Sequence, residues 1–315
     1  MREIRIKTSD QILDNQEMEW WNSNAEIIEK IWALNLDLQK IIRLPYLKKM
    51  KHFFTKDATN FPVKILEIGC GSGWVCRLVA DKNFHVLGTD FSEGQLAIAR
   101  AQAKYFNKDK FCTYELADAS SFSKNIDGVV IHALLHHLSK EELDIFFEQL
   151  SKIPPETKVF MYEPVFLKSR GTKSSLLDKV LNRVITTVKK YATNRARVKG
   201  ASDKELELAM EKIYADAKNN GWYISPKEVP FYEDELLGYL EPYFLIKKSY
   251  IVNKSDLDIS QALVLNKIDK PDFLFGKVLI PLSTWLDKLA FKGNFTHYTP
   301  PLTHQFVCFE IVRKS

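Results

Sequence analysis

Three glycines at alternate positions stand between an apolar segment and a helical pattern. The stretch reads Leu-Glu-Ile-Gly-Cys-Gly-Ser-Gly-Trp from Leu66, so that the glycines are Gly69, Gly71 and Gly73. Glycine allows a tight turn, and without a Cβ atom its backbone can approach a ligand closely. The spacing therefore predicts that a ligand lies on the loop.

The same spacing distinguishes two classes of nucleotide ligand. Dinucleotide sites use GxGxxG and place a pyrophosphate at a helix N-terminus. Here Gly73 follows Gly71 by two residues, and Glu67 precedes the loop. S-adenosylmethionine carries no phosphate and needs room for its methionine portion, so this spacing favours S-adenosylmethionine. A nicotinamide-dependent oxidoreductase is a more distant alternative.

Two acidic residues follow the next apolar segments. Asp90 comes 21 residues after Gly69, where a carboxylate can accept hydrogen bonds from both ribose hydroxyls. Asp118 follows a further apolar segment, where it can accept from an adenine amino group. An isolated Asp at such a position is usually a helix cap, but the order and spacing of all these residues indicate a nucleoside site.

The segment from Val63 to Val165 resembles the class I S-adenosylmethionine-dependent methyltransferases. Residues 131–138, Ile-His-Ala-Leu-Leu-His-His-Leu, resemble the fourth-strand motif of the small-molecule branch of that family. The resemblance implies S-adenosyl-L-methionine as cofactor and a seven-stranded sheet whose last strand is antiparallel. The cofactor-binding residues that it implies are Glu67, Gly69, Gly71, Gly73, Asp90, Phe91, Asp118, Ala119 and Ala133.

Short apolar runs alternate with helical patterns from Val63 onward, which is typical of an α/β fold with a mostly parallel sheet. We predict a Rossmann-like sheet with helices on both faces, N-terminal helices and a helical insertion that forms a lid. The predicted strands are Val63–Ile68, Phe84–Thr89, Phe111–Leu116, Ile126–Ile131, Lys158–Tyr162, Tyr243–Ile251 and Gln305–Val312. The predicted helices follow Gly73 and cover Ser92–Tyr105, Ser139–Leu150, Glu233–Glu241 and Leu279–Phe291. Ser139 is predicted to cap the helix that it opens, with Glu142 three residues further on.

The chain divides into four predicted regions. They are an N-terminal helical cap (1–60), a cofactor-binding core (61–167), a helical insertion over the acceptor (168–222) and the C-terminal part of the core sheet (223–315). Pro226–Phe231 resembles the pieces that precede the last two strands in many such enzymes. Trp20 and Trp21 are expected to pack in the core, with a flap over the cofactor as the alternative.

Methyl transfer from a sulfonium is an in-line displacement that needs a general base only for a hydroxyl or a protonated amine. His137, after the fourth strand, is the candidate base, and Glu163, after the fifth, is the candidate for orienting or deprotonating an acceptor. Packing against the cofactor loop is the alternative role for His137, and a hydrogen bond to a backbone amide is the alternative for Glu163. His132 and His136 are weaker candidates.

Composition narrows the class of protein further. The formal net charge is only +5, yet Lys168–Lys199 holds ten Lys or Arg residues and one acid, Asp178. Such a segment suggests an anionic or carrier-bound acceptor or an anionic membrane surface, with a solvated helix face as the plainer interpretation. The four cysteines show no CxxC spacing, so no metal site is expected. No signal peptide or transmembrane segment is recognised, which indicates a cytoplasmic protein.

These features predict a methyltransferase that acts on an oxygen, or secondarily a nitrogen, of a small metabolite such as a natural-product, sugar or lipid-like acceptor. An RNA or protein methyltransferase is one alternative, although no RNA-binding module is recognised and no DNA partner is expected. A non-catalytic S-adenosylmethionine-binding protein is the other. The sequence specifies neither the acceptor nor the oligomeric state.

Overall fold

The computed structural model describes most of the sheet and the helices around it. The described residues are 11–32, 47–121, 125–166, 204–222, 224–229, 231–250, 273–279, 281–282 and 305–313, with positions 183, 187, 191 and 285. Most of the basic segment Lys168–Lys199 and of the predicted helix Leu279–Phe291 lies outside these residues. A π-helix covers Leu274–Leu279 and ends at the first residue of that predicted helix.

The strands form one mixed sheet. They are β1 (Val63–Ile68), β2 (Phe84–Asp90), β3 (Cys112–Leu116), β4 (Gly128–His132), β5 (Lys158–Phe166), β6 (Phe231–Tyr232), β7 (Phe244–Tyr250) and β8 (Gln305–Arg313). Their order is β3-β2-β1-β4-β5-β8-β7, and β6 pairs with β5 off this path. Strands β1 to β5 run parallel, whereas β8 is antiparallel to both β5 and β7. The order reverses between β1 and β4, and ligands of open α/β sheets bind at the carboxyl ends of the strands at such a point.

Helices cover both faces of this sheet. They are α1 (Gln11–Trp32), α2 (47–55), α3 (Trp74–Val79), α4 (Glu93–Tyr105), α5 (Lys140–Leu150), α6 (Lys204–Asn220) and α7 (Glu233–Leu240). One apolar core joins α2, α3 and α4 to the face that includes Ile65 and Val86. The other joins α5 and α7 to the face that includes Leu66 and Ile131. No helix within the described ranges combines the length and apolarity needed to cross a membrane.

The mostly parallel α/β fold predicted from the sequence is confirmed, with differences in detail. The sheet has the two-residue strand β6 in addition to the seven predicted strands. Strand β5 continues to Phe166, past the predicted end at Tyr162, because it pairs with β8 along Val159–Val165. Strand β4 begins at Gly128, two residues after the predicted start.

The helix starts follow from local capping chemistry. The Ser92 hydroxyl accepts from the Gln95 amide at 3.2 Å and caps α4. Ser139 and Glu142 form the capping box expected from the sequence, with the Ser139 amide donating to the Glu142 carboxylate at 2.6 Å. Each cap fixes the point at which the chain leaves the carboxyl edge of the sheet and enters a helix.

Candidate active site

The glycine loop connects β1 to α3 in left-handed backbone conformations. Gly69, Gly71 and Gly73 have φ values of 66°, 52° and 72°. A Cβ atom on Gly73 would lie 2.6 Å from Cε1 of the buried Tyr114 ring, so this glycine is required by close packing. A Cβ atom on Gly71 would meet nothing closer than the Gln95 side chain at 3.8 Å. The loop is therefore tightly packed at Gly73, whereas at Gly71 an added Cβ atom would make only an ordinary van der Waals contact.

Asp90, at the end of β2, is hydrogen-bonded to the glycine loop. Its Oδ2 accepts from the Gly71 amide at 2.7 Å, and its Oδ1 accepts from the Ser92 amide at 2.9 Å. Burial raises the pKa of the Asp90 carboxyl, although these amides and the nearby His137 act in the opposite direction. Each carboxylate oxygen has a second lone pair, so Asp90 retains the capacity to accept from ribose hydroxyls.

Glu67 is buried in β1 and faces α3. The Cys76 thiol donates to its Oε2 over 2.8 Å. Burial raises the pKa of the Glu67 carboxyl to about 8, which leaves it largely protonated near neutral pH. The structure thus places Glu67 next to the glycine loop as a neutral hydrogen-bonding group.

The predicted adenine-side residues follow β2 and β3, which are neighbours in the sheet. Asp90 pairs with Leu116 in the parallel register, which brings Asp118 and Ala119 to the same edge. Phe91 and Leu116 are 39% and 60% exposed, as apolar groups that flank an open site would be. Asp118 also caps its own turn, because its Oδ1 accepts from the Ser120 amide at 2.8 Å. The Ser120 side chain and amide lower the pKa of Asp118, so this carboxylate is ionised.

The chain turns sharply at the end of β4. Ala133 has a φ of 52°, which is unusual for a residue with a Cβ atom, and strained backbone of this kind is enriched at functional sites. Its amide donates to the Tyr162 carbonyl at 2.7 Å. His132 stacks on the Tyr162 ring at a centroid distance of 4.6 Å and meets the edge of Trp74 at 4.8 Å. This turn leads into a short 3₁₀ helix, Leu135–His137.

Glu163 binds the start of that short helix. It is 0% exposed, and its Oε1 accepts from the amides of Leu134 and Leu135 at 2.8 and 2.9 Å. Its Oε2 lies 2.9 Å from Nδ1 of His136. These contacts correspond to the backbone hydrogen-bonding role that the sequence analysis weighed against a role in deprotonation.

His137 is hydrogen-bonded to a residue that the sequence analysis did not single out. Its Nδ1 lies 2.9 Å from Oε1 of Glu17 in α1, and the Ser225 hydroxyl lies 3.3 Å from the same nitrogen. Burial raises the pKa of Glu17, but the hydrogen bond and charge of His137 outweigh it and bring the value to about 2. Burial lowers the pKa of His137, and Glu17 with the charges of Glu228 and Glu163 reverses this and raises it.

Helix α1 also contacts the glycine loop and α4. The Asn22 side-chain oxygen accepts from the Ser92 hydroxyl at 2.6 Å and from the Gly94 amide at 3.0 Å. Glu29 pairs with Arg77 of α3 at 2.7 Å, and Arg77, itself 0% exposed, also donates to the Ser72 carbonyl. Helix α1 therefore contacts both the candidate cofactor loop and the candidate base.

Lys227 connects α1 to α5. Its Nζ lies 2.5 Å from Asp14 of α1 and 2.7 Å from Glu142 of α5. Burial lowers the pKa of Lys227, but the hydrogen bonds that its ammonium group donates to both carboxylates reverse this and raise it. Trp20 and Trp21 are half-buried and meet edge to face at 5.0 Å, and Trp21 also meets the His137 ring at 5.4 Å.

Among the side chains that the structure describes, no group of His, Cys, Asp or Glu is arranged to hold a metal ion.

The core of the chain matches a family model described as a methyltransferase domain, over residues 65–153. A malonyl-[acyl-carrier protein] O-methyltransferase of Bacillus anthracis is 28% identical over 118 residues, which is 31% of this chain and 44% of that protein. A ubiquinone biosynthesis O-methyltransferase of Chelativorans sp. (strain BNC1) is 26% identical over 141 residues, 43% of this chain and 53% of that protein. The match thus spans about half the length of these relatives.

A solved structure shares the fold across most of the chain. Phosphoethanolamine N-methyltransferase 2 of Haemonchus contortus superposes with a TM-score of 0.52 at 16% identity, covering 98% of this chain and 61% of that one. The family match and the sheet order agree with the resemblance stated from the sequence. The chain therefore contains a methyltransferase domain at residues 65–153.

Proposed function

We propose that the protein transfers a methyl group from S-adenosyl-L-methionine to a hydroxyl oxygen of a small molecule. The observation that carries this proposal is that the short helix with His137 packs against the glycine loop: a Cβ atom on Gly69 would lie 2.6 Å from the Leu134 side chain, and the Leu134 carbonyl accepts from the His137 amide at 3.0 Å. A candidate cofactor site and a candidate base thus share one edge of the sheet. S-adenosylmethionine, when bound, supplies an electrophilic methyl group on a sulfonium.

The described residues fit such a cofactor. The looser packing at Gly71 leaves room for a ligand against the backbone of the loop, and Asp90 retains acceptor capacity for ribose hydroxyls. Phe91 and Leu116 offer exposed apolar surface for an adenine ring. Asp118 and Ala119 follow β3 at the same edge and would contact the adenine amino edge. Gly69, Gly73 and Ala133 would shape the backbone around the methionine portion, and Glu67 would support the loop from its buried side.

The chain's own contribution to the rate is to orient the acceptor and to remove its proton. Holding the reacting atoms in line supplies much of the acceleration in such a displacement. A hydroxyl acceptor must lose a proton, and an imidazole titrates in the suitable range. We assign this role to His137, and we assign to Glu163 the positioning of the short helix that carries His137.

The two relatives matched by sequence support oxygen as the attacking atom, because both are named as O-methyltransferases. The solved structure, named as an N-methyltransferase, is similar in fold alone at 16% identity. The name of the Bacillus anthracis relative also supports a carrier-bound acyl acceptor as one form of substrate. A carboxylate acceptor would need no base, whereas the His137–Glu17 pair favours a hydroxyl. A nitrogen acceptor is the second candidate, since a protonated amine would also use this base.

Calorimetric titration with S-adenosylmethionine, S-adenosylhomocysteine and NADH tests the cofactor assignment. We expect saturable binding of the two sulfur compounds and none of NADH. Asp90→Ala should weaken both affinities by about 1.5–3 kcal/mol, as expected for loss of charge-assisted hydrogen bonds. Asp109→Ala is the matched control, because Asp109 is exposed and precedes β3 at the opposite edge of the sheet. Equal affinity of the Asp90 variant and the wild-type protein would contradict this placement.

A further inference from the structure

We propose that Glu17 of α1 is the positioning residue for His137, accepting the Nδ1 proton so that Nε2 is the ring nitrogen that takes the proton of the acceptor. This inference rests on the proposed function. In the reaction, the acceptor oxygen bonds to the methyl carbon as the carbon–sulfur bond breaks and its electron pair stays on sulfur. The hydroxyl proton goes to Nε2 of His137, which becomes imidazolium.

The Glu17 carboxylate has a fixed orientation. Besides His137, its Oε1 accepts from Nε1 of Trp21 and from the Ser225 hydroxyl, each at 2.8 Å. Its Oε2 accepts from the Lys227 amide at 2.8 Å. A carboxylate held by donors on both oxygens cannot rotate away, so it fixes both the ring orientation and the tautomer of the imidazole that it contacts.

The two adjacent histidines differ in which ring nitrogens are engaged. His136 is buried, with Nδ1 2.9 Å from Glu163 and Nε2 3.7 Å from Glu228. The side-chain partners of His137 are Glu17 and Ser225, which both contact Nδ1, and across the described ranges of the chain its Nε2 has no hydrogen bond. The comparison favours His137 as the histidine with a nitrogen available for chemistry.

Most of the ionisable groups that face His137 are acidic. They are Glu17 of α1, Asp90 after β2, Glu163 of β5, and Glu228, with Lys227 and His136 as the basic groups nearby. Only neutral His137 can accept a proton, so turnover should rise with pH through the raised pKa of His137. Removing the charge of Glu17 should lower the pKa of His137, so the rise in turnover should move to lower pH. The turnover rate on the high-pH plateau should also fall, because the imidazole is then a weaker base.

Glu17→Gln is the direct test, with Glu19→Gln as the matched control. Glu19 is exposed on the same helix and undergoes the same chemical change. In protein labelled with ¹⁵N-histidine, long-range NMR spectra report the tautomer and pKa of His137 without any acceptor. We expect Nδ1–H in the wild type and in Glu19→Gln, and a lower His137 pKa in Glu17→Gln. An Nε2–H tautomer in the wild type, or an unchanged pKa in Glu17→Gln, would overturn the inference.

Kinetic measurements distinguish a positioning role of Glu17 from a merely structural contact with His137. With 3,4-dihydroxybenzoate as the hydroxyl probe, S-adenosylhomocysteine formation by Glu17→Gln should be about tenfold or more slower on the plateau. Its affinity for S-adenosylmethionine should stay within about threefold of wild type, which verifies folding, and Glu17→Asp should recover part of the rate. A wild-type protein that does not bind S-adenosylmethionine contradicts the proposed function. If the wild type is active and its pH profile matches that of Glu17→Gln, only this inference is contradicted. If the wild type does not methylate this probe, the NMR measurement of the His137 tautomer and pKa decides whether the inference holds.

Discussion

The cofactor half and the acceptor half of the site are built in different ways. The cofactor half consists of β1 to β3 and the loops after them, and each candidate residue lies near the end of a strand or in the loop that follows it. The acceptor half joins Glu17 to His137, 120 residues apart, and to Ser225, 208 residues apart. Its geometry therefore depends on long-range packing, and substitutions that disturb this packing should affect the two halves unequally.

The largest effect is expected where the two halves are joined, at the buried pair of Arg77 and Glu29. Arg77→Met leaves the Glu29 carboxylate buried without its partner and removes a donor to the Ser72 carbonyl. We expect a loss of about 3–5 kcal/mol in the free energy of unfolding, measured by urea denaturation. The double variant Arg77→Met/Glu29→Leu should recover part of it, because the uncompensated charge is then gone. A loss below about 1 kcal/mol would mean that this pair does not hold α1 in place.

The second effect is confined to the cofactor half. Gly73→Ala meets the Tyr114 ring and also requires φ near 72° for a residue with a Cβ atom. We expect a cost of roughly 2–4 kcal/mol, from backbone strain and overpacking together. Gly221→Ala is the control, because Gly221 has a φ of 70° with nothing within 4 Å of the added atom. It should cost only about 1–2 kcal/mol, and equal losses would show that packing against Tyr114 is unimportant.

The third effect is confined to the acceptor half and depends on pH. The pKa of Glu17 falls from 4.5 to about 2 on folding, so its stabilisation is complete above about pH 4.5 and is lost as the pH falls toward 2. The pKa of His137 is raised, so its stabilisation is present below about pH 6.5 and is lost as the pH rises through the folded-state value.

Urea denaturation from pH 2 to pH 6 measures this dependence. Relative to Glu17→Gln, the wild type should gain up to about 3 kcal/mol across the acid range. Glu19→Gln should follow the wild-type curve, because Glu19 is exposed on the same helix. Parallel curves for the wild type and Glu17→Gln would show that the carboxylate is not paired in solution.

The sequence predicted the features that local chemistry determines. The ends of β1 and the capping box at Ser139 follow from a buried apolar run and from a side chain three residues away. The short strand β6 was missed because two residues carry no periodicity, and it forms only because β5 extends to meet it. The roles of the predicted cofactor residues stay predictions that binding measurements will decide.

The residues of the acceptor half could not be predicted from local sequence in the same way. Glu17 stands on a helix among several acids, and nothing in its immediate sequence indicates a histidine that lies far along the chain. Glu163 was recognised as a residue at the ligand-bearing edge, but whether it faces the acceptor or the backbone depends on how the chain turns after β4. Ala133 sets that turn with a left-handed backbone conformation. Because alanine rarely adopts this conformation, the sequence gives no sign of it.

The position of β8 has a consequence for synthesis on the ribosome. Strand β8 follows β7 in the sequence but lies between β5 and β7 in the sheet. A nascent chain can pair β1 to β5 as they emerge, because these strands are neighbours of one another. The edge of β5 stays open, and β7 has no strand to join, until residues 305–313 leave the exit tunnel. Completion of the sheet thus waits until β8 has been synthesised, and the unpaired edge of β5 is the point at which a chaperone would be most useful.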